Sequence, residues 1–312
     1  MTRLPARNQA GPQLDFCILG ASKSGKTALH AYLRTHPQVF MPEREPNIHA
    51  DDIAETASAP RPKNRQAYRA LFAPAANGQL LGEMSGLYLF SERAVPNILK
   101  DNPDARFIVM LRNPVDMAHS SHSNLLHRRF ENEPSFQNAW ELQDARAAGE
   151  RIPVSCEEPK LLLYRERCCF APHVERLFQL VPRERLLVHV FEEFFTNPRA
   201  AYERTLAFLG LPSDDRRHFE RINEHGVPRS WLLHDLARYP PFPLDCLHGP
   251  LKRIFNAFGL RPGLAFFRWT IGRKNFPAMD PSFRRRLEAE FRPDIARLEA
   301  ILERDLDVWR SN

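Results

Sequence analysis

The glycine-rich segment near the N-terminus reads Gly20-Ala21-Ser22-Lys23-Ser24-Gly25-Lys26-Thr27. It matches the pattern G-x-x-x-x-G-K-[ST] at every required position. The apolar run 16–19 before it predicts a buried strand, and the helical spacing of the apolar residues in 27–33 after it predicts a helix. A loop in this position wraps backbone N–H groups around an anionic phosphate and points the positive end of the helix at it. The segment therefore predicts a phosphate-binding loop.

The rest of the chain alternates short apolar runs with helical patterns. Further strands are predicted at 38–41, 80–84, 107–111 and 186–191. Helices are predicted at 65–72, 92–100, 115–128, 136–148, 160–180, 199–209, 214–221 and, with Asp280 as its cap, from Pro281 to Leu302. This alternation favours a three-layer α/β domain of the nucleotide-kinase type, with a central parallel sheet of about five strands covered on both faces.

The composition favours one globular domain. The 312 residues are 43% hydrophobic and 26% charged, which excludes a disordered or collagen-like chain. Because there is no internal repeat and no low-complexity linker, we expect residues 1–312 to form a single domain. Residues 1–13 are expected to be a flexible N-terminus. The segment 225–272 is rich in Pro, Gly and aromatic residues, which predicts irregular packing on the acceptor side, as in a lid.

The charge and cysteine counts suggest the kind of partner and compartment. Lys and Arg number 44 against 38 Asp and Glu, a net charge of +6 that favours an anionic partner but is too mild for a nucleic-acid-binding tail. The five cysteines are odd in number and lack C-x-x-C spacing, which is typical of free thiols, and no apolar run reaches the length of a membrane span. We therefore expect a cytoplasmic protein that does not bind nucleic acid. His225, His234 and His248 have no metal-ligand spacing with Cys or carboxylates, so no structural zinc is predicted.

A nucleoside triphosphatase would need an acidic residue at the end of a second strand to hold Mg²⁺. The best-placed strand, 107–111, is followed instead by Arg112. A guanidinium offers paired donors to an oxyanion, so this position predicts a second phosphate contact. The strand 186–191 does end in Glu192-Glu193, which leaves a metal site open. The alternative is therefore an ATP-dependent small-molecule kinase that uses the loop 20–27.

With these two phosphate motifs in this order, the chain resembles the sulfotransferases that use 3'-phosphoadenosine 5'-phosphosulfate (PAPS), in particular their bacterial and carbohydrate-type branch. That family's first motif runs strand, P-K-S-G-T-T, helix, and here Ser22 to Thr27 occupy it. Its second motif has an Arg that ends a strand and a Ser eight residues later, as Arg112 and Ser120 do. The resemblance covers about residues 15–309. Further matching stretches are Phe40 to Asn47, Gly82 to Tyr88 and Gly272 to Asn275.

The resemblance implies transfer of the sulfuryl group of PAPS to a hydroxyl or amine of a carbohydrate or lipid-linked acceptor, without an obligatory metal. It implies that Lys23 stabilises charge on the departing nucleotide, an electrostatic role that often dominates transfer catalysis. The residues expected around the 5'-phosphosulfate are Lys23, Ser24, Gly25, Lys26, Thr27 and Ala28. Those expected at the 3'-phosphate are Arg112 and Ser120, and the late motif Gly272, Arg273 and Lys274 adds further cofactor contacts.

The resemblance also points to the group that takes the acceptor's proton. Carbohydrate-type enzymes use a Glu after the second strand, and Glu45 in the stretch 43–47 matches it. Such a base must lie within hydrogen-bond reach of the proton. His49 is the runner-up, and Glu83 is expected to orient the site rather than to act as base.

Four positions depart from the family's motifs, one of them Ile271, which stands where carbohydrate-type enzymes often carry a Lys before the late Gly-Arg pair. Lys26 stands where the first Thr of G-T-T is found, which adds a cation and leaves open whether Lys23 or Lys26 has the leading role. Ser22 replaces the Pro before the catalytic Lys, and Phe170 stands where a Tyr is often found, so a hydroxyl contact is expected to be absent there. A non-enzyme alternative is a nucleotide-binding regulatory module that kept this fold without its chemistry.

Overall fold

A five-stranded parallel sheet forms the centre of the protein in the computed structural model, which describes residues 13–56, 60–220 and 278–310. The strands are β1 (Phe16–Gly20), β2 (Val39–Phe40), β3 (Leu80–Met84), β4 (Arg106–Leu111) and β5 (Leu186–Val190). Their spatial order is β2-β3-β1-β4-β5, and every neighbouring pair is parallel. The expected α/β fold with a central parallel sheet is confirmed.

Helices connect the strands. They are α1 (Lys26–Leu33), α2 (Arg65–Ala70), α3 (Ala94–Asp101), α4 (Pro114–His127), α5 (Phe136–Glu141), α6 (Gln143–Ala147), α7 (Tyr164–Cys168), α8 (Phe170–Leu180), α9 (Phe191–Thr196), α10 (Pro198–Leu209) and the C-terminal helix (Pro281–Leu302). Short 3₁₀ turns occupy Pro159–Leu162, Arg183–Arg185 and Asp307–Trp309. Within the described ranges, no helix is both long and apolar enough to cross a membrane.

Both faces of the sheet are covered. Successive side chains of a strand point to opposite faces, yet every residue of β1 and β5 is buried. Phe16 and Ile18 of β1 pack in one cluster with apolar residues of α1 and α10. The Phe16 ring of β1 lies over its partner Gly82 in β3, where a Cβ would overlap it, which explains the glycine in this strand. Fully buried parallel strands of this kind are what crossover helices on both faces produce.

The topology brings three loops to one edge of the sheet. β1, β3 and β4 are parallel neighbours, so the residues that follow Gly20, Met84 and Leu111 leave from the same end. The main chain ties these loops together there. The amide of Ala21 donates to the carbonyl of Met110 at 2.5 Å, and the amide of Ser85 donates to that of Ile18 at 2.9 Å. This edge is where ligands bind in open α/β sheets.

The helix expected at 160–180 is broken in three. It consists of the 3₁₀ turn 159–162, then α7 and α8. Pro172 has no N–H to donate to a preceding turn, so an uninterrupted helix through it is disfavoured. Asp294 of the C-terminal helix supports the new start, because its carboxylate accepts the amides of Phe170 at 2.8 Å and Ala171 at 3.2 Å.

Three other boundaries differ from the prediction. The pattern 136–148 forms two helices, α5 and α6, that meet at Leu142. The predicted helix 214–221 is wrong over its described part, because Asp215 has φ 54° and the Ser213 hydroxyl accepts the Asp215 amide at 3.2 Å, a local bond that competes with a helix. The strand predicted at 186–191 ends at Val190, and Phe191 begins α9, a helix that the sequence pattern did not reveal.

The single-domain prediction concerns residues 1–312, of which the structure describes 13–56, 60–220 and 278–310. Apart from residues 278 and 279, the described residues belong to one compact unit. The N-terminal residues 1–12, and the segment 221–277 with the expected lid, lie outside the described residues. The organisation of the whole chain as one domain therefore stays a prediction.

Candidate active site

The loop after β1 presents the start of α1 without a side-chain cap. Gly25 precedes the helix with φ 82°, a left-handed conformation that favours glycine, and no acidic residue lies in the first turn. A Cβ on Gly25 would lie 2.8 Å from Cε2 of Phe195 and 3.1 Å from Cδ2 of Phe191. The first N–H groups of a helix have no partner within it, so the start of α1 can receive an anion.

The other loop residues expected to bind the cofactor lie just before α1 and in its first turn. Ser24 is buried, and its hydroxyl donates to the carbonyl of Ser22 at 3.3 Å. Thr27 is half-buried in the first turn. Ala28 is buried, and its amide already donates to the carbonyl of Gly25 at 3.0 Å. The amide of Ala28 therefore has a partner inside the loop.

The two phosphate motifs meet at Lys23. Nη1 of Arg112, the residue after β4, donates to the carbonyl oxygen of Lys23 at 3.0 Å. Its Nε is buried without a hydrogen-bond partner, and its guanidinium lies 4.6 Å from the centre of the Phe191 ring. Burial, with Lys26 and Arg112 nearby, lowers the pKa of Lys23 to about 8. A group of cations with an unused donor is an environment that an anion would stabilise.

Lys26 is part of the loop's internal structure. It is buried, and its Nζ donates to the carbonyl of Ala21 at 2.8 Å. Burial lowers its pKa, while Glu45 opposes that effect and Arg167 adds to it. The ammonium group thus holds the loop's own main chain next to two charged side chains.

Glu45 lies beside the loop and contacts Gly86, a contact that the sequence did not predict. Its Oε2 accepts the amide of Gly86 at 3.2 Å. A Cβ placed on Gly86 would lie 3.1 Å from Ser22 Oγ, 3.5 Å from Lys26 Nζ and 3.8 Å from Glu45 Oε2. These three side chains therefore converge around Gly86. The only sequence signal for this glycine was its place just after β3, in the stretch 82–88.

His49 and Glu83 form a buried cluster with Tyr68. The Tyr68 hydroxyl donates to Glu83 Oε2 at 2.7 Å, and Nε2 of His49 lies 3.2 Å from that hydroxyl and 3.7 Å from Glu83 Oε1. Burial raises the pKa of Glu83 to about 7 and lowers that of His49 to about 4. Both side chains are almost fully enclosed, whereas Glu45 is half-buried, so Glu45 is better placed to meet an acceptor.

The second motif begins α4. The Asn113 side chain caps this helix by accepting the amides of Val115 at 3.0 Å and Asp116 at 3.3 Å. Ser120 lies farther along the same helix and is half-buried. Arg112 therefore lies between the end of β4 and the cap of α4, and Ser120 lies within α4. Gly272, Arg273 and Lys274 lie outside the described residues.

The carboxylates that left a metal site open have structural partners. Oε1 of Glu192 accepts the amide of Asn113 at 3.0 Å, and its Oε2 accepts the indole N–H of Trp309 at 2.8 Å. Glu193 forms an ion pair with Arg304. Over the part of the chain that the structure describes, no group of three or more His, Cys, Asp or Glu side chains is placed to hold a metal ion.

Arg167 of α7 is a component of the site that the sequence gave no motif for. It is buried, with Nη1 donating to the carbonyl of Leu161 at 3.0 Å and Nη2 donating to Ser22 Oγ at 3.1 Å. Burial lowers the pKa of its guanidinium. Phe170, two residues after α7 ends, is fully buried and packs near Trp309, so it contributes no polar group to the loop.

A family model described as "Sulfotransferase domain" matches residues 13–227, which is more than half of the chain. The chain belongs to the sulfotransferase family. The sequence resemblance is thus confirmed at the level of the family. A crystal structure of a sulfotransferase from Alicyclobacillus acidocaldarius has a TM-score of 0.69 and 25% sequence identity, and the match covers 96% of this chain and all of that one.

Similar curated sulfotransferases are larger proteins. Human bifunctional heparan sulfate N-deacetylase/N-sulfotransferase 2 is 29% identical over 203 residues, which cover 63% of this chain and 22% of that protein. Mouse heparan sulfate glucosamine 3-O-sulfotransferase 3B1 is 28% identical over 194 residues, which cover 62% of this chain and 45% of that protein. The match therefore spans less than half of the length of either relative.

Proposed function

We propose that this sulfotransferase moves the sulfuryl group of PAPS to a hydroxyl or amine of a carbohydrate or lipid-linked acceptor. The observation that carries the proposal is the contact between the two phosphate motifs, Arg112 Nη1 to the Lys23 carbonyl at 3.0 Å, at the start of α1. The half-buried carboxylate of Glu45 lies beside the same loop. Lys23 and Arg112, which could bind two anionic groups, and Glu45, which could accept a proton, thus lie at the same edge of the sheet.

The residues fit a nucleotide with two anionic ends. The uncapped start of α1 and the ammonium of Lys23 suit the 5'-phosphosulfate, since both favour negative charge. The buried Nε–H of Arg112 is an unused donor, which suits the 3'-phosphate, with Ser120 on the adjoining helix as a further donor. A buried donor without a partner is costly, and a phosphate oxygen would relieve that cost.

The chain's own groups supply three roles in the reaction. PAPS, when bound, supplies the sulfuryl group. Glu45 would take the proton of the acceptor hydroxyl or amine, and the amide of Gly86 orients its carboxylate by donating to Oε2. Lys23 would stabilise the negative charge that collects on the departing 3',5'-ADP. Arg112 would hold the nucleotide in place through the transfer.

The acceptor class rests on the relatives. Two of them are named as heparan sulfate sulfotransferases, one acting on a nitrogen and one on a 3-hydroxyl, which supports a carbohydrate acceptor for this chain. Transfer of labelled sulfate from PAPS to a panel of glycosaminoglycan fragments, neutral sugars, lipid-linked sugars and phenols tests the class. We expect product with a saccharide; product with phenols alone would contradict the carbohydrate assignment.

Calorimetry tests the donor. We expect 3',5'-ADP to bind more tightly than 5'-AMP, because the second phosphate reaches Arg112, and more tightly than ATP with Mg²⁺. Transfer should also persist in EDTA. Preference for ATP with Mg²⁺, or loss of transfer in EDTA, would contradict the proposal and favour the kinase alternative.

No observation in the described ranges favours that alternative. In a nucleotide kinase, the loop lysine at the position of Lys26 reaches the phosphates, and an acidic residue at a strand end holds Mg²⁺. Here Lys26 Nζ donates to the carbonyl of Ala21, and both oxygens of Glu192 accept hydrogen bonds from other residues.

A further inference from the structure

A chain of hydrogen bonds links helix α7 to Glu45 across the phosphate loop. Nη2 of Arg167 donates to Ser22 Oγ at 3.1 Å, and the Ser22 hydroxyl donates to the carbonyl of Gly86 at 3.1 Å. The amide of Gly86 donates to Glu45 Oε2 at 3.2 Å. Four segments that are far apart in sequence are thereby connected through three bonds.

Ser22 is the central member of this chain. A hydroxyl can accept one hydrogen bond while it donates another, and here it does both. Ser22 also directly precedes Lys23, the residue proposed to stabilise the leaving group. Ser22 therefore connects the main chain at Lys23 to Gly86, whose amide binds Glu45. The proline found at this position in the family motif has no side-chain donor or acceptor, so the link is a feature of this chain.

Gly86 depends on these bonds for its orientation. Glycine has more backbone freedom than any other residue, so its main-chain groups are held mainly by their partners. Its carbonyl is held by Ser22 and its amide by Glu45. A side chain here would crowd both partners, because a Cβ would lie 3.1 Å from Ser22 Oγ and 3.8 Å from Glu45 Oε2.

Arg167 provides a fixed end for the chain. It is buried, and its Nη1 donates to the carbonyl of Leu161 at 3.0 Å, which leaves the guanidinium little freedom to move. Its positive charge also favours the hydroxyl oxygen as acceptor and leaves the Ser22 hydrogen directed at Gly86. The order of donors along the chain is therefore determined from the arginine end.

We propose that Ser22 and Arg167 are positioning residues that hold the carboxylate of Glu45 in a fixed position relative to Lys23 for sulfuryl transfer. This rests on the proposed function, in which Glu45 accepts the acceptor's proton. A base displaced by a fraction of an ångström loses much of its effect, whereas nucleotide binding at α1 and Arg112 does not depend on it. The two residues should therefore act on kcat and leave nucleotide affinity unchanged.

Ser22→Ala tests the central bond. The variant loses both hydrogen bonds of the Ser22 hydroxyl, and of these only the bond to Gly86 leads on to Glu45. Loss of that bond is expected to lower kcat about three- to tenfold, with the KM for PAPS and the Kd for 3',5'-ADP changing less than about twofold. Ser22→Thr keeps a hydroxyl and should restore most of kcat. Ser123→Ala is the matched control, because the Ser123 hydroxyl likewise donates to a main-chain carbonyl, that of His119 within α4. A wild-type kcat in Ser22→Ala, or a loss of affinity in place of kcat, overturns the proposal.

A double-mutant cycle tests whether Arg167 acts through Ser22. Arg167→Met is expected to lower the melting temperature as well as kcat, because it also removes the bond to Leu161. If the two residues act through their shared bond, Ser22→Ala adds little further loss of kcat to Arg167→Met. Losses of kcat that multiply independently in the double variant overturn the link.

Amide hydrogen exchange at Gly86 separates this proposal from the proposed function. The wild-type amide is held by Glu45, so it should exchange slowly and speed up in Ser22→Ala but not in Ser123→Ala. This measurement requires no turnover. If the wild type transfers no sulfate, the proposed function fails while Gly86 exchange still reports on the chain, and unchanged exchange in Ser22→Ala overturns the positioning role.

Discussion

Replacing Arg112 with Met should weaken nucleotide binding without destabilising the fold. The guanidinium of Arg112 is partly enclosed at the end of β4, and burial lowers its pKa, with Asp116 and Glu192 opposing that effect. The cost of enclosing a cation with one unpaired N–H offsets the hydrogen bond that Nη1 gives to the Lys23 carbonyl, so an apolar side chain of similar length should change the stability of the fold little. Arg112→Met is therefore expected to keep a melting temperature close to that of the wild type while it loses affinity for 3',5'-ADP.

The size of the affinity loss follows from the donors that remain. One Nη1 hydrogen is used on the Lys23 carbonyl, and the Nε hydrogen has no partner. A guanidinium has five N–H groups, so the Nε–H together with a second N–H can pair with two oxygens of one phosphate. A hydrogen bond to a charged group contributes about 1.5–3 kcal/mol, and water replaces part of that in the variant. Two such bonds give about 3 kcal/mol in total, or about a hundredfold in Kd.

Calorimetry with 3',5'-ADP and 5'-AMP measures this loss. Arg112→Met should bind 3',5'-ADP about a hundredfold more weakly and 5'-AMP almost as well as the wild type does, because 5'-AMP lacks the 3'-phosphate. Arg106→Met is the matched control: Arg106 stands at the other end of the same strand and donates to one carbonyl, that of Phe208, at 3.0 Å. Equal losses for both nucleotides together with a lower melting temperature would refute the reasoning, since Arg112 would then only support the fold.

Three further predictions concern the loop and the base. The pKa of Lys23 is lowered to about 8, so its ammonium loses a proton as pH rises through that value. Binding of an anionic nucleotide beside it should therefore take up protons and weaken at higher pH. Calorimetry in buffers of different ionisation enthalpy measures the proton uptake, and binding without proton uptake would count against a direct contact with Lys23. Glu45→Gln should lower kcat about a hundredfold or more with 3',5'-ADP affinity unchanged, as steady-state kinetics and calorimetry will show. Gly86→Ala places a Cβ 3.1 Å from the Ser22 hydroxyl and should lower kcat about tenfold in a protein whose circular dichroism is unchanged; a wild-type kcat would contradict the crowding.

The phosphate loop and the sheet could be predicted because their signals are local. The residues 16–33 carry a strand, a glycine-rich turn and a helix in one uninterrupted stretch, and each apolar run of the sheet is only a few residues long. Arg112 was found in the same way, as the residue that directly follows such a run. Local patterns of this kind do not depend on how distant parts of the chain meet.

The link from Arg167 to Glu45 could not be predicted, because it depends on contacts between distant segments. Arg167 and Ser22 are 145 residues apart, and Ser22 and Gly86 are 64 apart. Their meeting requires the parallel pairing of β1 with β3 and the end of α7 at Cys168, and the sequence pattern predicted one unbroken helix there. The Asp294 carboxylate that accepts the first amides of α8 comes from yet another distant helix.

The direction of the Lys26 side chain favours Lys23 as the lysine of the loop that meets the nucleotide. The letters Gly25-Lys26-Thr27 are shared with nucleotide kinases, yet Lys26 Nζ is buried on the carbonyl of Ala21. From there its charge still acts on the site, because it is the largest cause after burial of the lowered pKa of Lys23. Burial lowers the pKa of both lysines, so a nearby anion would favour the charged form of either, but the ammonium of Lys26 already donates to a carbonyl inside the loop. We therefore infer that Lys23 meets the nucleotide and that Lys26 shapes the loop and its charge, which accounts for both lysines without a kinase mechanism.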